Sequence, residues 1–163
     1  RFESEIPPVR PLRLKIEINT REHFTVIGLQ SRSMQITNPW FTAGAGIRTY
    51  QLDELMGTKL RALYQRRKGR DLFDLWFCLD RELIEPKLVI TCFLKYVENE
   101  GHAITRAQFE QNLHGKQNDA AFMDDIAPLL SAAVQYDSAD ALRLVHAELI
   151  DHLPGDPWQG GQD

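Results

Sequence analysis

The sequence predicts an α+β protein, because its hydrophobic period changes near Gln51. Before that residue, short runs alternate apolar and polar side chains; after it, apolar residues recur every three or four positions. Polar and glycine-containing clusters punctuate both halves. The expected organisation is a partial antiparallel sheet over 1–51, a helical region over 52–153 and a flexible, Gly- and Pro-rich tail over 154–163, where Trp158 could pack back.

Taken in order, the predicted strands are 12–19, 24–29, 34–37 and 47–51, separated by turns at 21–22, 30–33 and 43–46. In the first of them, period two places Leu14, Ile16 and Ile18 on one face and Lys15, Glu17 and Asn19 on the other, so Glu17 projects away from a core. The predicted helices are 52–65, 70–79, 86–98, 105–113, 119–131 and 138–152. Pro86 suits a first helical turn, and Thr105 and Ser138 read as N-caps.

Composition narrows the function. With 163 residues, 43% of them hydrophobic, the chain can bury a core. No apolar run approaches the ~20 residues that cross a bilayer, so a cytoplasmic protein without a membrane partner is expected. Cys78 and Cys92 sit in apolar helical patterns without metal-ligand spacing and read as reduced core thiols. The five histidines are scattered and suggest no nucleophilic triad. A net charge of −4 argues against broad wrapping around nucleic acid and leaves Arg66-Arg67-Lys68-Gly69-Arg70 as the local basic run.

That run lies within the most informative stretch, Leu52 to Trp76. Leu52, Leu55, Met56, Leu60 and Leu63 form an apolar stripe, and Lys59 and Arg66, seven residues apart, lie within ~20° of each other and roughly 10 Å apart along the axis. Gly69 breaks the helical pattern. Asp71 and Asp74 then follow at i, i+3 beside Leu72, Phe73, Leu75 and Trp76. Two cations on one face suit an anion, and Lys59 is read as close enough to its helix start for the N-terminal dipole to assist. On sequence alone, exposed helix charge explains the basic run equally well, and carboxylates at a helix start more often cap and pair with arginines.

Three stretches, LKIEINTREH from Leu14, ELMGTKLRALYQRRKGRDLFDLW from Glu54 and, more weakly, NPWF from Asn38, resemble the AbiEii/AbiGii toxin family, nucleotidyltransferase toxins of abortive-infection and type IV toxin-antitoxin systems. The likeness runs in order and spacing from about Arg10 to Leu79. It implies a polymerase-beta-like nucleotidyltransferase core, with nucleotide transferred from a nucleoside triphosphate to an RNA acceptor such as a tRNA end, Mg²⁺ as cofactor and a cognate antitoxin as partner. Carried over residue by residue, it assigns Glu17 as the third metal-binding carboxylate, Lys59 as catalytic and triphosphate-binding, Arg66 and Arg70 as phosphate-binding, and Asp71 and Asp74 as positioning residues. From the strand alone, Glu17 reads as a solvent-facing neighbour of Lys15; the resemblance reverses that reading.

The sequence departs from the family pattern in one respect. It holds neither a Gly-Ser pair nor an Asp-x-Asp strand, and Asp124-Asp125 falls in a late helical stretch. Beginning at Arg1, the chain is expected to be a piece whose metal-binding half lies upstream and which is inactive alone. The reading from another class is a non-catalytic RNA- or protein-binding helical module.

Overall fold

The computed structural model describes residues 2–5, 7–13, 15–16, 23–131 and 133–160. It is an α+β structure with two antiparallel ladders and six α-helices among the described residues. Phe2–Glu3 (β1) pairs with Pro11–Leu12 (β2), and Leu29–Asn38 (β3) pairs with Phe41–Tyr50 (β4). The helices are Leu52–Gln65 (α1), Gly69–Asp80 (α2), Pro86–Asn99 (α3), Arg106–Gln117 (α4), Ala120–Met123 (α5) and Ser138–Glu148 (α6).

The N-terminal half departs furthest from expectation. Of the strand predicted over 12–19, only Leu12 lies in a ladder; Lys15 and Ile16 are outside any strand, and Ile16 is exposed rather than core-facing. Glu17, Ile18 and Asn19 lie outside the described residues. The strand predicted over 24–29 is irregular as far as Gly28, because a side chain captures its backbone. Glu54 accepts hydrogen bonds from the Val26 and Ile27 amides at 2.7 and 3.1 Å, and Gln51 donates to the Ile27 carbonyl at 2.6 Å. Gly28, at φ +86°, then redirects the chain.

The turns predicted at 30–33 and 43–46 are strand instead. A single long hairpin runs through them and reverses at Pro39-Trp40, where the Asn38 side chain accepts from the Trp40 and Phe41 amides at 3.0 and 2.9 Å. Ala43 to Gly46 remain in register with Ile36 to Ser33 because small side chains satisfy the same ladder.

The helical half is assembled around α1, which packs on α3 and α2, while α2 packs on α6. Leu60, Leu63, Leu72, Leu75, Phe93 and Val145 are fully buried at the centre. Leu55, placed on the apolar stripe by period, is instead exposed, and Glu54 is buried in its stead. A Cβ on Gly57 would lie 2.6 Å from Cys92 Cβ, so glycine permits the close α1–α3 approach. Cys78 and Cys92 are buried free thiols, and burial pushes the Cys92 pKa up to about 11.

Thr105 caps α4 through a capping box with Gln108. At α6 the cap is Asp137, whose side chain accepts from the Ala139 and Asp140 amides; Ser138 instead donates to the Met123 carbonyl. The helix predicted over 119–131 breaks into α5 and a 3₁₀ turn at Ala127–Leu129, with Pro128 unable to continue the α-helical ladder. In the tail, the Pro154 carbonyl accepts from Arg106 N–H at 2.8 Å, and Trp158 packs back, its amide donating to Glu110 at 2.6 Å.

Candidate functional site

The α1–α2 corner gathers five of the six residues singled out in the sequence. A three-residue link, Arg66 to Lys68, joins the helices, and α2 begins at Gly69, which is buried. A Cβ on Gly69 would collide with the Phe122 carbonyl, so glycine lets the start of α2 sit directly on α5. That contact fixes where the basic link and the first acidic turn of α2 face.

Asp71 is the centre of the corner. Its carboxylate has no solvent exposure and receives a two-pronged hydrogen bond from Arg66, at 2.7 Å from Nε and 2.8 Å from Nη2. Lys59 reaches the same group at 3.6 Å and bonds Asp74 more closely, at 2.6 Å. The fork from Asp71 is the main cause that raises the Arg66 pKa above its ordinary value. Lys59 and Arg66 therefore converge as the seven-residue spacing implies, but on carboxylates, and the four charges balance.

Solvent access grades the group. Asp71 is wholly buried, Lys59 is 28% exposed and Asp74 36% exposed. Lys59 bonds most closely to a partly exposed carboxylate, whereas Arg66, itself 51% exposed, is forked onto the wholly buried one. Lys59 stands at the middle of α1, not near its start, so the N-terminal dipole expected to assist it does not reach.

The basic link is less available than it reads in sequence. Arg67 pairs with Asp119 at 3.2 Å and Lys68 with Asp125 at 3.9 Å, both carboxylates brought by the α5 region. The Arg70 amide donates to Asp125 at 3.3 Å, while its side chain is exposed and shows no ion pair among the described residues. Arg70, in the first turn of α2, is thus the basic residue of the run whose side chain has no ion pair among the described residues.

Sequence reasoning missed Lys116. Its side chain is 2% exposed, and its ammonium donates to the Leu63 carbonyl and, at 2.9 Å, to the Tyr64 carbonyl, closing the C-terminal end of α1 just before Arg66. Burial, reinforced by the Arg67 charge, lowers its pKa to about 8. The signal was present: Phe109, Leu113 and Lys116 occupy i, i+4 and i+7, one face of α4. Glu54, the other buried charge missed, also accepts from Tyr96 Oη at 2.8 Å, and burial followed by that bond raises the tyrosine's pKa.

These residues do not make a metal centre. Asp71 is forked to Arg66 through both oxygens, Asp74 is paired with Lys59, and Glu17 lies outside the described residues. Elsewhere, Glu110, His146 and Asp151 bring ligand-type atoms within 4.8 Å of one another. Arg106 already bonds both carboxylates, at 2.7 Å to Glu110, and the His146 nitrogens approach them at 3.2 and 3.3 Å, so this is an ion-pair network.

Residues 1–144 match the family model of the nucleotidyl transferase AbiEii toxin of type IV toxin-antitoxin systems. The chain belongs to the AbiEii family. No curated protein and no solved structure matches it. Membership makes this a chain of a nucleotidyltransferase toxin family whose type IV systems pair a toxin with an antitoxin, and whose chemistry generally depends on a divalent metal. No helix among the described residues is long and apolar enough to cross a membrane.

Proposed function

We propose that the α1–α2 corner is the triphosphate-handling side of an AbiEii nucleotidyltransferase that transfers a nucleotide from a nucleoside triphosphate to an RNA acceptor, such as a tRNA end. The observation that supports this reading is the convergence of Lys59 and Arg66 on Asp71 and Asp74. Lys59 is the catalytic, phosphate-contacting group, because a flexible ammonium can follow moving phosphate charge. Arg70 adds a second phosphate contact. Arg66 contributes its remaining donor capacity and, with Asp71 and Asp74, holds Lys59 in place.

Glu17 is proposed as the third carboxylate for Mg²⁺, since hard cations prefer oxygen ligands. Bound there, the ion would supply charge neutralisation and activation of the attacking hydroxyl. The two partner carboxylates have no counterpart in the 163 residues, so this chain alone should not turn over nucleotide. In the same reading, 1–51 belongs to the nucleotidyltransferase sheet, with the β3–β4 hairpin projecting from it, 52–153 forms the helical wall of the cleft and 154–163 is peripheral; the protein acts in the cytoplasm with a cognate antitoxin.

A second reading, a non-catalytic RNA- or protein-binding helical module, is favoured by the lack of Gly-Ser and Asp-x-Asp elements in the sequence. One assay separates the two. The product of the complete reading frame is incubated with radiolabelled nucleoside triphosphate, Mg²⁺ and RNA, alongside Glu17→Gln. Transfer by the wild type and its loss in a folded Glu17→Gln protein support the transferase; wild-type transfer by the variant returns Glu17 to a surface role. Absence of transfer by the wild type favours the binding module.

A further inference from the structure

The β3–β4 hairpin stands away from the helices as an arm. Every residue from Ser31 to Arg48 is exposed, and the two strands pair only with each other among the described elements. An isolated two-stranded ribbon is marginally stable in water, so covering one of its open faces would stabilise the arm.

Its two faces differ. Cross-strand partners share a face, and the pairs Arg32↔Ile47, Met34↔Ala45 and Ile36↔Ala43 build a continuous apolar lane with an arginine toward its base. Phe41, 56% exposed, continues that face at the tip, and Trp40, 85% exposed, crowns the turn.

Charge identifies the occupant. From His23 to Leu52 the sequence contains no Asp or Glu, although 23 carboxylates in 163 residues would average about four in a stretch of that length. The arm instead carries Arg32 and Arg48, neither paired with a described carboxylate. Only Arg32 lies on the face that Phe41 continues; a carboxylate-free surface with an arginine and exposed aromatic rings is complementary to a polyanion with flat apolar faces. Duplex RNA hides those faces in its stack and offers a major groove too narrow to read, whereas a single strand exposes them.

We propose that the β3–β4 hairpin is a single-stranded RNA-binding arm: Trp40 and Phe41 stack bases at the tip, Met34 and Ile36 line the path, and Arg32, on the same face, holds a phosphate nearer the base. This rests on the RNA-acceptor reading above and assigns the surface that would hold the strand.

The experiment is fluorescence anisotropy of a short labelled single-stranded RNA titrated with the 163-residue chain over a range of salt, with no nucleotide present, so a failure of transfer chemistry cannot imitate a failure of binding. Trp40→Ala should weaken binding about tenfold. Arg32→Gln should weaken it and lower the slope of log affinity against log salt by about 0.7, whereas Arg48→Gln, on the opposite face of the ribbon, should do neither. Melting curves should be unchanged, since none of the three side chains is buried. Duplex RNA of the same sequence should bind more weakly. The proposal is overturned if the wild-type chain does not bind the single strand, if duplex binds equally well, or if Arg67→Gln abolishes binding while Trp40→Ala leaves it intact. It is also overturned if the chain sediments as a dimer that Ile36→Ser disperses, which would make the lane a protein interface.

Discussion

Asp71→Asn removes the charge at the centre of the α1–α2 corner with almost no change in shape. Breaking a fully buried ion pair on one side costs about 3–5 kcal/mol. Here the cations left behind regain water, since Arg66 is 51% and Lys59 28% exposed, which reduces the expected loss to about 1.5–2.5 kcal/mol. Arg66→Met is the harsher change, because it strands a wholly buried carboxylate with Lys59 at 3.6 Å as its remaining described ion partner; about 2–4 kcal/mol is expected. The two losses must not add, and the double variant should recover about 1–2 kcal/mol of coupling. Urea unfolding followed by circular dichroism, with the m-value held constant across the set, measures all three. Coupling under about 0.5 kcal/mol would refute the fork as an energetic unit and leave Lys59 without the anchored partner on which its placement depends.

Lys116 should impose a pH dependence on stability. With its folded pKa lowered to about 8 from 10.5, the unfolded chain binds more protons between those values, so wild-type stability should gain up to about 3 kcal/mol relative to Lys116→Met as pH rises through that window. A constant difference between the two proteins from pH 8 to 10 would mean that the ammonium is not desolvated. Trp76 is partly buried, with its ring edge-on to Tyr136 at 5.0 Å, so Trp76→Ala should cost about 2–3 kcal/mol, less than the 3–5 of a fully buried tryptophan. An unchanged melting curve would remove Trp76 from the packing of α2 on the segment that leads into α6.

The helices were more legible than the sheet because their signals are local. Leu52 to Gln65 carries an uninterrupted apolar period, and Thr105 with Gln108 supplies both halves of a cap. Asp137 and Ser138 are adjacent and both good caps, so local sequence does not decide which of them begins α6. Phe24 to Leu29 looks like a strand, but its backbone is claimed by Glu54, a residue 27 to 28 positions away that nothing in the local pattern marks as buried. The site divides in the same way. The spacing of Lys59 and Arg66 and the position of Asp71 in the next turn predict their meeting. The counterions Asp119 and Asp125 do not follow from that run, because a contact between Gly69 and Phe122 delivers them. Lys116 was readable from its helical period, provided the charge was not taken as proof of exposure.

The most direct test of a triphosphate site at this corner is nucleoside triphosphate affinity in the product of the complete reading frame, compared between Lys59→Ala and Lys68→Ala. Neither substitution should unfold the chain: Lys59 lies within α1, where alanine is the better helix former, and Lys68 lies in the extended link, where its side chain makes no capping hydrogen bond. A specific, weakly salt-sensitive loss at Lys59, with affinity at Lys68 close to wild type, is the predicted result. Equal and salt-sensitive losses at both positions would make Lys59 one member of a diffuse basic surface and contradict the assignment.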